Sequence, residues 1–299
     1  MHQPRIAVVC LATALLSYSA APAQDSTPVI PAADAPAGAV PPAAPDLSVV
    51  NKRILAAEYE KAEALLAEIQ REFPDDLDVA MTRGEVLLAL GRAENALAHL
   101  EKVAAAEPER PRLQFQIASA RLAGGDTEGA LAAFALEVEN GEDPEAVVLA
   151  HLNRAMLLQR DRRWDAAAAD LEGVLELQPN RQEVYGDLAS LYLGTGRLDD
   201  AERVLDRGFE AGFQSAAHFY GLGARIFKDE EYERAIGVFE RVLELDPQHA
   251  RAERSLGAAL EKLGRADEAR VHFKRYLELD PTAADAAKIR ELVAEGGGS

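Results

Sequence analysis

A 34-residue pattern that recurs along most of the chain constrains the fold more than any other feature. Counted from Ala250, small residues fall at positions 8 and 20, a large apolar residue falls at position 24, and a proline falls at position 32. Seven copies start at residues 43, 77, 111, 148, 182, 216 and 250, with three extra residues between the third and fourth. An alanine-rich chain matches one such position by accident, but agreement at four positions in one register indicates a structural repeat.

The residues at these positions predict two packed helices in each copy. Position 20 is alanine in all seven copies, and position 24 is always leucine or phenylalanine. The alanines are Ala62, Ala96, Ala130, Ala167, Ala201, Ala235 and Ala269, and the large residues are Leu66, Leu100, Phe134, Leu171, Leu205, Phe239 and Phe273. Small residues let two helices approach closely, and the large residue fills the space beside them. Proline cannot continue a helix, so the proline found at position 32 in five of the seven copies ends the second helix there.

This helix–turn–helix pattern resembles the tetratricopeptide repeat. The resemblance implies an all-α, right-handed α-solenoid of about seven repeats over residues 46–295, in which each repeat contacts mainly its neighbours. Beyond the last repeat, a final helix is predicted at residues 283–294. Arg290 and Glu291 occupy the slots where a further repeat would pack, so this helix is predicted to be the solvated cap that a solenoid end requires. Residues 296–299 are predicted to be a flexible tail.

The N-terminal residues predict export from the cell. Arg5 precedes an apolar run at residues 6–16, and the small residues Ala21 and Ala23 flank Pro22, which is typical of a signal peptide that is cut after Ala23. An uncleaved anchor is the alternative. Cleavage would remove Cys10, the one cysteine of the chain, and the short apolar run favours a periplasmic location. Residues 24–45 are rich in proline and alanine and are predicted to be a disordered linker.

Charge and composition narrow the possible partners. The formal net charge of the chain is −19, which argues against binding to nucleic acid, since that requires a basic face. It argues equally against docking on an anionic lipid surface. We therefore expect a protein or peptide partner, no nucleic acid, and no direct membrane insertion after signal cleavage.

The sequence offers no residue set for catalysis. No two histidines share one helix face at metal-ligand spacing, and no cysteine supports them, so neither a metal site nor a cofactor is predicted. The paired acids in the short turns precede second helices, where a negative charge complements the helix N-terminus. An enzyme is accordingly the reading with the least support.

The resemblance implies a binding groove lined by the first helix of each repeat, at positions 2, 5, 9, 12 and 13. Two sets of residues on these positions are typical of interfaces. The apolar set is Phe115, Leu122, Leu152, Met156, Leu193, Tyr220 and Phe227, and the basic cluster is Lys228, Arg251, Arg254 and Lys262. In an acidic chain the basic cluster goes against the overall charge, which predicts a partner segment with an acidic end.

Some tetratricopeptide-repeat proteins capture C-terminal carboxylates with a clamp of lysines, asparagines and arginine. The matching positions here hold Leu47, Asn51, Thr82, Arg112 and Gln116. Asn51 alone agrees outright, so a carboxylate clamp of this kind is not predicted. The function that the sequence favours is a non-enzymatic protein–protein interaction scaffold in the bacterial cell envelope. The alternative is a recruitment or polysaccharide-binding subunit of an envelope enzyme or secretion complex.

Overall fold

The structure, a computed structural model, describes residues 44–295, with side chains up to residue 294. The predicted signal peptide at 1–23, nearly all of the predicted linker and the predicted tail at 296–299 lie outside the described residues. Within the described range the chain forms fifteen α-helices and no β-strand. The predicted all-α repeat solenoid is therefore confirmed.

The helices fall into two compact units that divide between Asn153 and Arg154. The described N-terminal unit contains α1 Ser48–Leu55, α2 Tyr59–Glu72, α3 Leu77–Ala89, α4 Ala93–Ala106, α5 Leu113–Ala123, α6 Thr127–Asn140 and the first part of α7 Pro144–Arg160. The C-terminal unit contains the rest of α7, α8 Trp164–Leu177, α9 Gln182–Thr195, α10 Leu198–Glu210, α11 Ala216–Lys228, α12 Tyr232–Leu245, α13 Ala250–Lys262, α14 Ala266–Leu279 and α15 Ala286–Glu295.

The repeated small and large residues form the core of each helix pair. All seven alanines at position 20 and all seven large residues at position 24 are buried. In three repeats position 8 is a glycine that a larger residue could not replace without a shift: a Cβ atom on Gly84, Gly223 or Gly257 would lie 2.7–2.8 Å from the side chain at position 24 of the same repeat. The ring of Phe239 thus lies directly against the backbone of the first helix.

The turn between the two helices of each repeat also has one geometry. The residue at position 15 has a positive φ in all seven repeats, between 55° and 85°. Glycine, which adopts this conformation without steric cost, occupies four of the seven positions: Gly91, Gly125, Gly196 and Gly264. At the other end, the helices before Pro74, Pro108, Pro179, Pro247 and Pro281 each end two residues ahead of the proline, since the residue before proline disfavours the helical region.

Successive repeats pack mainly through the second helix of one against the first helix of the next, and first helices also contact each other within each unit. In the N-terminal unit α3 contacts α5, while in the C-terminal unit α9 contacts α11 and α11 contacts α13. The first helices therefore form a continuous layer in each unit, and their outward side is the face that the sequence predicts to bind a partner. At the end of the chain, α15 packs on α14.

Ion pairs join the starts of successive second helices. Within the N-terminal unit Arg92 pairs with Glu60 at 2.9 Å. Within the C-terminal unit the corresponding pairs are Arg197–Asp165 at 2.7 Å, Arg234–Asp199 at 2.6 Å and Arg265–Glu233 at 3.6 Å. Each pair is solvent-accessible and contributes at most about 1 kcal/mol, so the series favours one stacking register more than it stabilises the fold.

Candidate functional site

In the C-terminal unit, the predicted apolar residues lie on the first helices with different degrees of exposure. Met156 on α7 is 40% exposed, and Leu193 and Phe227 are half-buried. Phe227 packs edge-on against Tyr232, with 5.3 Å between ring centroids. Met156 and the outer edge of Phe227 therefore remain available to a partner.

Tyr220 packs against the core of its repeat more closely than a residue that only lines the groove would. Its ring lies 5.9 Å from that of Phe239 and 5.0 Å from that of His249, and the residue is half-buried. The ring therefore extends the core of its repeat and presents only part of its surface to solvent.

The predicted basic cluster divides between the two ends of the first-helix layer. All four side chains are exposed, but Arg251 and Arg254 lie in the first two turns of α13 and Lys262 is its last residue. Eleven residues of helix separate Arg251 from Lys262, a distance of roughly 16 Å. Lys228 is the last residue of α11. Arg254 forms an ion pair with Asp285, just before the capping helix, and is therefore already engaged.

In the N-terminal unit, Phe115 is not a groove residue. It is 4% exposed, and its ring lies 5.7 Å from that of Phe134 on the second helix of the same repeat. Because the side chain is buried in the helix pair, it cannot contact a partner without unfolding. Leu122 and Leu152 are half-buried on α5 and α7 and remain compatible with the predicted groove.

The N-terminal unit also contains a cavity of about 830 Å³ between α1, α3 and the turn that precedes α5. Its apolar wall comes mainly from Leu47, Ile54, Leu55, Met81 and Pro111, and its polar lining comes from Ser48, Asn51, Lys52, Asp78, Thr82, Glu85, Glu107, Arg110 and Arg112. Four of the five positions that match the carboxylate clamp line this cavity. The fifth, Gln116, donates a hydrogen bond to Glu85.

Most charges around the cavity are already paired. Arg110 forms ion pairs with Asp78 and with Glu107. Arg112 is 6% exposed and pairs with Asp143 at 3.2 Å. Asp143 lies in the turn between α6 and α7, where the three extra residues interrupt the repeat. It also accepts a hydrogen bond from the backbone N–H of Glu145 at the start of α7. The insertion thus fixes one arginine of the cavity wall.

Among the carboxylates of the cavity lining, Glu85 on α3 is the one without an ion pair to a described residue. The amide Nε2 of Gln116 donates to its carboxylate at 3.1 Å, but among the described residues no cation forms an ion pair with it. Burial raises the pKa of Glu85 from 4.5 to about 7, although Gln116 and the positive charges of Arg112 and Arg110 oppose that shift. The cavity therefore contains one carboxylate that forms no ion pair with a described residue, although Arg110 and Arg112 line the same cavity.

Arg112 has an unusual backbone that depends on a neighbouring helix. It precedes α5 with a φ of 65° and makes no side-chain cap on that helix. Glu137 of α6 supplies the cap instead, since its Oε2 accepts a hydrogen bond from the backbone N–H of Phe115 at 3.0 Å. Its Oε1 is buried and has no hydrogen-bond partner among residues 44–294, and burial raises the pKa of this carboxyl group. A strained residue held by buried charges is a feature that clusters at functional sites.

Sequence reasoning placed Glu85 on the groove face but did not distinguish it. A signal was present: position 9 holds Asn51, Glu85, Ser119, Met156, Ser190, Ala224 and Ala258, so Glu85 is the one charged residue in that row. Arg110 is the last residue of the second repeat and does not occupy a predicted groove position, so the sequence did not indicate it. The Arg110–Asp78 and Arg112–Asp143 ion pairs each join the two ends of one repeat through side-chain contacts, which periodicity does not encode.

The part of the chain that the structure describes contains neither a candidate metal cluster nor a helix that could span a membrane. No group of three or more histidine, cysteine, aspartate or glutamate side chains there could hold a metal ion. None of the helices between residues 44 and 295 is both long enough and apolar enough to cross a bilayer.

Three family models, each described as a tetratricopeptide repeat, match the chain. They cover residues 56–106 and 81–146, residues 158–226, and residues 222–294. No curated protein sequence matches it. The matched segments together span most of the described residues and agree with the helix pairs of both units.

Solved structures show the same fold. The structure of Naa15/Naa10 bound to HypK-THB matches with a TM-score of 0.61 at 18% identity, over 84% of this chain and 39% of that one. This chain therefore spans well under half of that protein. The C-terminal part of a tetratricopeptide-repeat-containing protein from Cytophaga hutchinsonii matches with a TM-score of 0.54 at 13% identity, over 82% of this chain and 99% of that one.

Proposed function

We propose, since this chain is a tetratricopeptide-repeat protein, that it is a non-enzymatic scaffold of the bacterial cell envelope that binds a partner polypeptide on its first-helix layer. Repeats of this kind form protein–protein interaction scaffolds. The proposal adds the cell envelope as the location, the first helices as the binding face and the absence of catalysis.

The observation that carries the proposal is the first-helix face of the C-terminal unit. It combines the exposed thioether of Met156 and the ring edge of Phe227 with the exposed cations Lys228, Arg251 and Lys262. None of these three cations forms an ion pair with a described residue. Methionine, aromatic and arginine side chains are the usual anchors of interfaces. A partner segment that carries large apolar side chains and acidic residues would satisfy both sets.

The charge contribution can be tested by reversing two unpaired cations. We expect the double variant Lys228→Glu with Arg251→Glu to bind the partner more slowly and with a weaker salt dependence, because exposed interface charges act mainly on association. Surface plasmon resonance at several salt concentrations, on a partner recovered by pull-down from cell extract, measures both quantities.

A matched control reverses two charges elsewhere in the same unit. Lys274 and Arg275 lie on α14, a second helix, and both are exposed, so Lys274→Glu with Arg275→Glu should leave association nearly unchanged. If both double variants lose binding equally, only net charge matters and the proposed face is wrong.

The envelope location rests on residues 1–23, which lie outside the described residues. Their charged start, apolar run and small-residue site support export and cleavage after Ala23. N-terminal sequencing of the protein from a periplasmic fraction should give Gln24 as the first residue. A mature chain that keeps Met1, or that starts at a lipid-modified Cys10, would contradict cleavage after Ala23.

The alternative of a polysaccharide-binding subunit gains little from the structure. Such a groove would favour a row of exposed aromatic rings, and the candidates were Phe115, Tyr220 and Phe227. Phe115 is buried and Tyr220 packs on Phe239 and His249. One partly accessible ring remains, which does not make a stacking platform.

A further inference from the structure

We propose that the cavity of the N-terminal unit takes a lysine or arginine side chain of a bound polypeptide, with Glu85 as its counter-ion. This inference rests on the proposed function, because it assumes a polypeptide ligand, and it specifies which chemistry one subsite recognises. It reverses the polarity expected from a carboxylate clamp, which occupies the matching positions in some relatives.

Charge at the cavity points to a cation. Arg110 is held by Asp78 and Glu107, and Arg112 is held by Asp143. Glu85 receives only the neutral amide of Gln116 as a hydrogen-bond donor among the described residues. A partly buried carboxylate without an ion-pair partner is costly to maintain, and an incoming ammonium or guanidinium group would lower that cost.

The shape and lining of the cavity suit a long basic side chain. Lysine and arginine have an aliphatic stem that packs on apolar surface and a charged head that needs hydrogen-bond acceptors. Ile54, Leu55 and Met81 provide the apolar wall, while Asn51 and Thr82 add polar groups to the same lining as Glu85. Lys52 is the one lining cation without an ion pair among the described residues, and it is exposed, where solvent screens its repulsion.

The surrounding charge favours the same ligand. Residues 44–153 contain 10 lysines and arginines against 21 aspartates and glutamates. This excess of negative charge attracts a basic segment and raises its association rate. The proline- and alanine-rich residues 24–43 contain no lysine or arginine, so the occupant is a segment of another polypeptide and not this chain's own linker.

The test is a selection of peptides followed by a site-specific measurement. A phage library of random linear 12-residue peptides is panned on the full chain, and each retained peptide is synthesised in two forms, with an amidated and with a free C-terminus. Each is titrated into full chain labelled with ¹³C at its methionine methyl groups. Met81 lines the cavity and Met156 lies in the C-terminal unit, so the two methyl signals report binding at the two places separately.

The expected result is a set of peptides that contain lysine or arginine beside aliphatic residues and shift the Met81 signal. Replacing their basic residue by norleucine, or making Glu85→Gln in the protein, should weaken this binding by about tenfold or more, since each change removes one partner of a desolvated charge pair. Glu139→Gln is the matched control because it removes the same charge from an exposed position of the same unit, and it should have little effect.

Three outcomes would overturn the inference. Peptides that shift Met81 but keep their affinity for Glu85→Gln would show that the carboxylate is not the counter-ion. Peptides that need a free C-terminal carboxylate would show the opposite polarity. A library in which no peptide shifts Met81 would show that the cavity is not a peptide subsite. Shifts confined to Met156 would leave the proposed function intact while contradicting this inference.

Discussion

Phe239→Ala is expected to lower the free energy of unfolding of the C-terminal unit by about 3–5 kcal/mol. The side chain is fully buried, and it lies against Gly223, where even a Cβ atom would approach the ring to 2.7 Å. Two helix backbones held this close together cannot collapse into the space that the ring leaves, so most of its volume becomes a cavity. Urea unfolding followed by circular dichroism measures the loss.

The damage should be local, because each repeat is coupled mainly to its neighbours. Hydrogen exchange should therefore rise most in α11 and α12. Val271→Ala is the control, since Val271 is 63% exposed on a second helix of the same unit, and it should change stability by about 0.5 kcal/mol or less. A Phe239→Ala protein as stable as the wild type would mean that the repeat register is wrong.

Glu85→Gln is expected to stabilise the protein in a pH-dependent way, by an amount on the order of 3 kcal/mol above pH 7. The pKa of Glu85 rises from 4.5 to about 7 in the folded state because burial penalises its charged form. Below pH 4.5 the carboxyl is protonated in both states and costs nothing. Between pH 4.5 and 7 the unfolded state ionises first, so the wild type loses stability as the pH rises, whereas glutamine cannot ionise.

The measurement is the difference in free energy of unfolding between Glu85→Gln and the wild type, taken at several pH values from 4 to 8. The difference should be near zero at pH 4 and should grow up to pH 7. Glu137 also has a raised pKa, but it is present in both proteins and cancels. A difference that stays constant over this range would contradict the burial of Glu85, and Glu139→Gln provides the baseline for an exposed carboxylate.

The fold could be predicted from the sequence because its determinants are local and repeated. Alanine at position 20, a small residue at position 8 and a large one at position 24 define one helix pair, and Gly223 and Phe239 show how directly this pattern describes a contact. The positive φ at position 15 was less visible, since Ala57, Arg162 and Glu230 adopt it without being glycine. There the stacked helices impose a turn that the residue itself disfavours.

The exposure of side chains on the proposed binding face was predicted less well, because it depends on contacts across the helix pair. Position 5 was predicted to line the groove, yet Phe115 and Tyr220 at that position both pack against the aromatic ring at position 24 of their own repeat. An aromatic residue there enlarges the core. The site around Glu85 depends on Asp143, contributed by an insertion that interrupts the repeat, and no periodic argument could connect the two.

The most direct test of the central claim, that the first-helix layer binds a polypeptide, is site-specific photo-crosslinking in cell extract. p-Benzoylphenylalanine is placed at Met156 on a first helix or at Val271 on a second helix, both of which are exposed. We expect the residue at position 156 to crosslink to a discrete polypeptide, identified by mass spectrometry, and the residue at position 271 not to do so. A discrete polypeptide that crosslinks from position 271 and not from position 156 would contradict binding at the first-helix layer.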